Sequence, residues 1–404
     1  MEYKPLTKLY YTDNEQWAEI YQHRYNSISS RHIDFEVKQY NRADTYKLFY
    51  CYNEEMLLLV NKIAAASIDF LKCAGQIPGV AIRQFIESCL VDEIKASNAI
   101  EGVHSFRKDI IKAYSMEITP KEYVRYWGIA NKYKKIIQGE AIPLETPADI
   151  RKLYDNFIAF EIRRDNPTNL PDGKIFRKDS VDIVTGTQKV LHQGIFPEDK
   201  IIQAMEKAIA ILHDEQIPMF IRISIFHYMF GYIHPFYDGN GRMSRFITSY
   251  YIAKEIHPAI AFRLSLLIKI QKKRYYNSFE ITNNIYNRGD LTPFIIGSLE
   301  LLLSAVESTA AVLKEKIASY EILYGRLISK LRDKDTATKN LCNVLLQAAI
   351  FSNDGATAEE IAVTIGKTAK TTRSKIERLP ENAIIKNVSS KPFRFKLDLK
   401  YLQR

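Results

Sequence analysis

The stretch His234-Pro235-Phe236-Tyr237-Asp238-Gly239-Asn240-Gly241-Arg242-Met243-Ser244-Arg245 decides how the rest of the chain is read. Immediately before it, Ile217 to Ile233 reads IPMFIRISIFHYMFGYI. That run is apolar nearly all round, which predicts a buried central helix. Pro235 ends it, because proline disfavours helical geometry in the residue before it. A tight loop follows, and then a second apolar helix from about Asn240 to Glu255. The turn between two core helices thus carries a base, a carboxylate, two glycines around an amide, and two arginines.

Each residue type in that turn suits one task. Asn240 and Gly241 sit where the second helix begins, and a helix N-terminus offers free N–H groups and the positive end of a dipole to phosphate. Gly239 and Gly241 remove side chains so that backbone can approach closely. Arg242 and Arg245 are three apart on one helical face, which suits a di- or triphosphate. Asp238 is placed to hold a hard cation such as Mg²⁺. His234, across the loop, can accept a proton near neutrality. Taken singly, these are ordinary residues: a capping histidine, a turn glycine, a solvated arginine. Together they predict a site that binds nucleotide phosphates and deprotonates a nucleophile.

Working outward, helical patterns dominate. The first 84 residues hold a Tyr-rich opening and an apolar helix around Glu54–Cys73. Pro78-Gly79 breaks the pattern, and a helix from Ala81 to about Ile100 stops near Gly102, a good residue beyond a helix C-terminus. Asn166 to Pro197 is rich in proline and glycine and reads as loop plus a hairpin. Long helices resume after Pro258 and run to about Leu331, and Arg332–Asn340 reads as a polar linker. From 338 onward the chain shows an apolar helix (Leu341–Phe351), a capping box at Thr357–Glu360 and a helix from Thr368 to Leu379 carrying Lys370, Arg373, Lys375 and Arg378. Two short strands around Ser389–Pro392 complete the pattern of a winged helix-turn-helix.

Composition narrows the class. The chain has 404 residues, enough for two or three domains, and its 46% apolar and 26% charged content is ordinary for a globular protein. The N-terminus lacks the apolar core of a secretory signal, and no uninterrupted apolar run reaches the length of a membrane span. Cys51, Cys73, Cys89 and Cys342 lie far apart, which argues against zinc or a disulfide framework and for a reducing cytoplasm. The net charge of +10 is concentrated: residues 362–404 hold 11 Lys/Arg against 3 Asp/Glu. That tail is therefore the candidate surface for DNA or another acidic partner. Gly366-Lys367-Thr368 is not a P-loop, since Ile361 stands where the first glycine is required.

The twelve-residue run matches, without departure, the Fic-family signature His-Pro-Phe-x-(Asp/Glu)-Gly-Asn-Gly-Arg-x-x-Arg. Gly289-Asp290-Leu291-Thr292-Pro293-Phe294 resembles a segment that often closes a Fic core. The resemblance covers roughly residues 85–305. It implies a mainly α fold: an all-helical core with a small β-hairpin flap, here joined to a carboxyl-terminal winged helix. It implies transfer of AMP from ATP to a hydroxyl of a target protein (Ser, Thr or Tyr), or of the protein itself, with release of pyrophosphate. ATP is then the substrate and Mg²⁺ the metal. By resemblance, His234 is the general base, Asp238 the Mg²⁺ ligand, Gly239, Asn240 and Gly241 the anion nest, and Arg242 and Arg245 the clamps on the outer phosphates. The hairpin near Lys174–Gly186 resembles the flap that pairs with a target backbone. Tyr275 resembles a residue lining the adenine pocket, and the family's following asparagine is either Asn283 or Asn287.

Ser97-Asn98-Ala99-Ile100-Glu101-Gly102 resembles the family's inhibitory motif. Ser97 and Glu101 share a helical face. The resemblance implies that Glu101 pairs with Arg245, a carboxylate competing with phosphate for one guanidinium. The expected organisation is a helical region over 1–84, a Fic core over 85–305 with its inhibitory helix near 85–102, a connector over 306–337 and a winged helix over 338–404. The expected activity is a self-restrained cytoplasmic protein adenylyltransferase. Its rivals are removal of AMP from modified protein and a nucleotide-sensing, DNA-binding regulator. A homodimer is among the assemblies left open, and no membrane partner is expected.

Overall fold

The computed structural model describes residues 3–116, 124–184, 190–388 and 392–403. In chain order the elements begin with α1 (Leu6–Thr12), α2 (Asn14–Tyr25), β1 (Ser30–Val37), β2 (Tyr46–Cys51), α3 (Glu54–Gly75) and α4 (Gly79–Ile100). Next come α5 (Arg107–Tyr114), α6 (Trp127–Ile137), α7 (Pro147–Phe157), α8 (Ala159–Asp165), β3 (Asp182–Val184), β4 (Val190–Gln193) and α9 (Glu198–His213). Then follow α10 (Met219–Ile233), α11 (Asn240–Glu255), α12 (Pro258–Ala261), α13 (Leu264–Ile270), α14 (Lys272–Asn283) and α15 (Thr292–Lys330). The chain ends with α16 (Thr336–Phe351), β5 (Ala356–Thr357), α17 (Ala358–Ile365), α18 (Ala369–Glu377), β6 (Ile384–Asn387) and β7 (Arg394–Leu397). The fold is mainly α, as the sequence predicts.

The apolar run becomes α10, with Ile225, Phe226, Tyr228, Met229 and Phe230 fully buried. It packs on α9, α11 and α15. His234 caps it in the left-handed conformation (φ 53°, ψ 61°), its N–H donating to Phe230 O. Gly239 (φ 87°) begins α11, a conformation that favours glycine. Helix α4 lies against α11, α12 and α13, so the segment with Ser97 and Glu101 is built into the core beside the motif. Gly102 (φ 76°) follows its end.

An N-terminal hairpin was not foreseen. β1 and β2 pair antiparallel from Ser30↔Cys51 to Val37↔Tyr46, with a bulge between His32 and Glu36. Ile33, Phe35 and Val37 are buried and alternate with exposed His32, Asp34 and Glu36, the period of a half-buried strand. The Gly289–Phe294 segment anchors this hairpin. Phe49 N donates to Gly289 O (3.1 Å), Leu291 N to Phe49 O (2.8 Å) and Cys51 N to Thr292 Oγ1 (2.9 Å). Buried Asp290 accepts from Tyr3 Oη (2.8 Å) and pairs with Arg24 (3.4 Å).

The second hairpin lies later than predicted. β3 and β4 pair through Asp182↔Gln193 and Ile183↔His192, whereas residues 174–181 are loop. There Glu198 takes up the amides: it accepts from Lys174 N (3.0 Å), Ile175 N (2.6 Å) and Phe176 N (2.9 Å). A carboxylate thus replaces a strand ladder. Gly186, part of the predicted hairpin, falls outside the described residues.

The expected linker is also shorter. Asp335 caps α16 through Thr338 N (2.9 Å), so the helix starts at Thr336 rather than Leu341. α16, α17 and α18 are followed by β6 and β7, which join β5 in a three-stranded sheet of order β5-β7-β6. This unit is fastened to the core. α16 packs on α4 and α15, and Arg107 bridges Asp92 of α4 (2.5 Å) and Asp354 (2.8 Å). Much of the basic charge is engaged locally: buried Arg394 pairs with Glu360 (3.2 Å), Arg373 pairs with Glu359, and Lys396 donates to Asn353 O (3.2 Å). Lys367, Lys370 and Arg378 remain exposed, and Lys391 lies outside the described residues.

One apolar stretch exceeds the expectation. Within α15 an 18-residue window averages a hydropathy of 1.5, long and apolar enough by composition to cross a membrane. Half of that window is buried inside the protein, and α15 packs along α3. It is the spine of the core.

Candidate active site

The α10–α11 turn opens into a cleft of about 1510 Å³. His234, Asp238, Gly239, Asn240, Gly241, Arg245, Glu101 and Tyr275 line it. The sequence-predicted residues therefore converge, apart from Ser97 and Arg242, which stand behind the wall.

His234 faces the cleft because its left-handed cap turns the chain away from α10. Its Nδ1 lies 3.3 Å from Gly231 O, an arrangement that suits an Nδ1–H donor and leaves Nε2 able to accept. Loss of hydration pushes its pKa from 6.5 down to about 4. The Gly231 bond and Glu101 oppose that shift, while His192 and Arg177 add to it. The imidazole is thus neutral at physiological pH, the form a base needs.

The start of α11 presents backbone to the cleft. Asn240 locks the turn with both ends of its amide: Phe236 N donates to Oδ1 (3.0 Å) and Nδ2 donates to Phe236 O (2.7 Å). Its side chain thereby holds the turn. The carboxylate of Asp238, 41% exposed, accepts from Gly239 N (2.5 Å) and from Arg242 (3.1 Å). Arg242 is only 4% exposed. The two arginines face different partners. Arg242 turns back one helical turn to hold Asp238, and Arg245 turns toward α4.

Arg245 is 1% exposed. Its Nη1 lies 2.8 Å from Glu101 Oε1, Nε donates to Ser97 Oγ (3.1 Å), and Nη2 donates to Ser97 O (3.0 Å). Burial alone would raise the Glu101 pKa, but Arg245 outweighs it by charge and hydrogen bond and holds the carboxyl below its usual value. Gly241 shows where the carboxylate sits: a Cβ built there would meet Glu101 Oε1 at 2.1 Å and Arg245 Nη1 at 2.9 Å. The Glu101 carboxylate therefore already lies against the amide end of α11.

Several cleft residues carry no signal in the motif. His227, seven residues before His234, is a core residue after all. Its Nδ1 bonds Thr248 Oγ1 (2.8 Å) and its Nε2 bonds Tyr275 Oη (2.6 Å), fixing Tyr275 on the cleft wall. Burial pushes the His227 pKa down to about 3, so that pair is neutral. The asparagine left open resolves geometrically. Asn283 lines the cleft and accepts from Tyr228 Oη (2.6 Å), whereas Asn287 is fully buried and donates to Asp290 O (2.6 Å). His192 of β4 also lines the cleft, bonded to Tyr232 O (2.7 Å), and Ile183 and Val184 of β3 form the wall beside it.

Mg²⁺ commonly takes one or two carboxylates and completes its shell with water and substrate phosphates. A single exposed carboxylate beside an anion-binding helix end fits that donor set. Among the described residues no cluster of three or more His, Cys, Asp or Glu could hold a metal unaided.

Fold and cleft together give a helical protein in which a helix N-terminus, a facing imidazole and the Glu101 carboxylate share one cleft. Residues 144–252 match the family model described as Fic/DOC family. Over 95 residues the chain is 27% identical to the protein adenylyltransferase Fic of Drosophila melanogaster, covering 24% of this chain and 18% of that protein. Over 69 residues it is 33% identical to the protein of that name from Drosophila virilis, covering 17% of this chain and 12% of that one. The matched segments thus span less than a fifth of these relatives. In structure the chain resembles a Fic family protein from Desulfovibrio desulfuricans G20, with a TM-score of 0.50 and 18% identity over 86% of this chain and 97% of that one. That likeness extends the shared fold well beyond the segment matched in sequence.

Proposed function

We propose that this protein transfers AMP from ATP to a hydroxyl of a protein, itself included, and that Glu101 restrains the reaction. The observation that carries the reading is that the neutral imidazole of His234 and the open amides at the start of α11 face one cleft. The target hydroxyl attacks the α-phosphorus, the bond to the bridging oxygen breaks, pyrophosphate leaves, and His234 Nε2 takes the hydroxyl proton. Asn240 and Gly241 bring backbone N–H groups to the phosphates, and Arg245 supplies charge to the outermost one once it is free. Asp238, held by Arg242, would carry Mg²⁺, which supplies charge neutralisation on the phosphates when bound. β3 and β4 would hold the target as an added strand beside His234. Drosophila proteins named adenylyltransferases share the core segment, which supports the reading.

The restraint rests on Glu101. Its carboxylate lies where a phosphate would meet Gly241 and Arg245, so an outer phosphate and the carboxylate compete for one guanidinium. Removal of AMP is a second reading, favoured by the same residue: the Glu101 side chain is ionised, 28% exposed and on the cleft wall. The test is label transfer from α-labelled ATP with Mg²⁺, comparing wild type, Glu101→Gly and Glu101→Gly/His234→Ala. Protein labelling in the single variant and none in the double supports transfer. No labelling in any lane, with AMP-modified protein losing label only when Glu101 is intact, supports removal instead.

A further inference from the structure

Arg177 has no part in the motif, yet with Arg245 it is among the largest fully buried side chains of the described residues. Among the described residues no carboxylate lies within ion-pairing distance of it. Burying an unpaired cation is costly unless its donors are fully engaged. Here they meet backbone carbonyls. Nε donates to His234 O (2.9 Å), and Nη2 donates to Ile195 O (2.8 Å) and Ile233 O (3.4 Å). Nη1 donates to Asp179 O, and the Arg177 amide donates to Pro235 O (3.3 Å). Loss of hydration pushes its pKa down to about 10, still well above neutrality, so the charge persists.

These acceptors belong to three segments. Ile233, His234 and Pro235 form the end of α10 and the turn carrying the base. Asp179 enters the β3–β4 hairpin, and Ile195 leaves it. Two backbone bonds close the same seam: Ile195 N to Ile233 O (3.1 Å) and Gly194 N to Val181 O (2.9 Å). Gly194 makes room for the guanidinium, since a Cβ there would lie 2.4 Å from Arg177 Nη2 and 3.1 Å from His234 Cβ. Only a planar fork with five donors meets so many carbonyls at once, and a lysine does not.

We propose that Arg177 is a positioning residue for His234: it ties the carbonyl of the strained, left-handed histidine to both roots of the hairpin, so that base and hairpin keep one fixed spacing. This rests on the AMP-transfer reading, in which the hairpin places the hydroxyl and His234 takes its proton. A non-glycine residue with φ of 53° needs its surroundings to over-determine it, and three of the Arg177 bonds, to Ile233 O, His234 O and Pro235 O, do so at or beside that residue. A displacement of about 1 Å between reacting groups costs on the order of 100-fold in rate. The charged and titratable groups facing His234 are His192 from β4, Arg177 from the loop before β3, and Glu101 from α4. The guanidinium therefore also helps keep the imidazole unprotonated.

The experiment uses the full chain in two variants, Arg177→Met, which deletes the fork, and Gly194→Ala, which displaces it without deleting the charge. In the Glu101→Gly background, both should lower kcat for AMP transfer, normalised to folded protein, by roughly 100-fold. ATP affinity by calorimetry should stay within about twofold, because the α11 amides are untouched. The acid limb of the rate should move to higher pH in Arg177→Met and hardly move in Gly194→Ala. A merely structural arginine would lower thermal stability and leave kcat and the acid limb in place, and that result overturns the proposal. If Arg177→Met does not fold, Gly194→Ala decides through kcat alone. If the Glu101→Gly parent transfers no AMP, the AMP-transfer reading fails, and the tether is still read by NMR titration of the His234 imidazole. Deleting the fork should raise that midpoint; an unmoved midpoint and unchanged His234 shifts in both variants overturn the tether itself.

Discussion

Replacing Glu101 by glycine is the perturbation that the geometry predicts most fully. Glu101 sits just past the end of α4 at φ −87° and ψ 10°, outside the helical ladder, so glycine costs the helix little. What is lost is one charge-assisted hydrogen bond of 2.8 Å to a guanidinium that is 1% exposed. Hydrogen bonds to charged groups contribute about 1.5–3 kcal/mol. Because 28% of the Glu101 side chain is exposed, solvent screening puts this one at the lower end. At about 1.4 kcal/mol per factor of ten, the carboxylate holds Arg245 against a competing phosphate by roughly 10- to 30-fold. Glu101→Gly should therefore tighten ATP binding, and raise label transfer at sub-saturating ATP, by about that factor. Glu101→Gln should give a smaller rise, since it keeps the shape over Gly241 and loses the charge. The free variant should melt lower than wild type, because Arg245 loses its charged partner and keeps the bonds to Ser97 Oγ and Ser97 O. Saturating ATP should restore more of its stability than it adds to wild type. The assays are calorimetry with ATP, label transfer from α-labelled ATP and thermal melts with and without nucleotide. Unchanged affinity and unchanged transfer in a folded Glu101→Gly protein would refute the competition between carboxylate and phosphate.

Four further outcomes are expected. Asp238→Asn should raise the Mg²⁺ concentration needed for half-maximal transfer by at least tenfold while the melting temperature barely changes, its carboxylate being 41% exposed; an unchanged Mg²⁺ requirement removes Asp238 from the metal site. Glu93 is fully buried on α4, and loss of hydration raises its pKa from 4.5 to about 7 against the opposing bonds from Ser265. A raised folded-state pKa means stability that is full below pH 4.5 and lost as pH rises through 7, about 3 kcal/mol in scale, so Glu93→Gln should flatten the melting temperature across that window. Arg107→Ala removes the bond to Asp92 within the core and the bond to Asp354 that reaches the carboxyl-terminal unit, and chemical denaturation should show a loss of about 1–2 kcal/mol. Because Arg394, Arg373 and Lys396 are engaged locally, binding of full-length protein to duplex DNA should be weak and lost at physiological salt; tight, salt-insensitive binding would contradict that accounting.

Much of the site could be read in the sequence because its parts are contiguous. A buried helix, a proline stop, a glycine-bounded helix start and side chains three and four residues apart are all local, and local geometry follows from local sequence. The β1–β2 hairpin also had a local signal, the alternation of Ile33, Phe35 and Val37, overlooked beside stronger helical patterns. The displaced β3–β4 hairpin was not local: Glu198, from the next helix, satisfies the amides of residues 174–176 and leaves the strands to form later.

From the sequence alone one reads a mainly helical chain, a turn that gathers His234, Asp238 and Arg245 between two core helices, and, through the resemblance to the Fic family, Glu101 as the residue expected to face Arg245. Periodicity and spacing suffice for the first two, since each concerns one helix face or one turn, whereas the Glu101 pairing follows from the resemblance. Only the tertiary structure decided which arginine does what. Arg242 and Arg245 are equivalent by spacing, but a carboxylate lies one turn back for the first and across on α4 for the second. It also decided that Asn283 and not Asn287 lines the cleft, that His227 fixes Tyr275, and that Arg177 binds the turn from behind. Each of these depends on which distant segment arrives beside a side chain, and packing of the whole chain sets that.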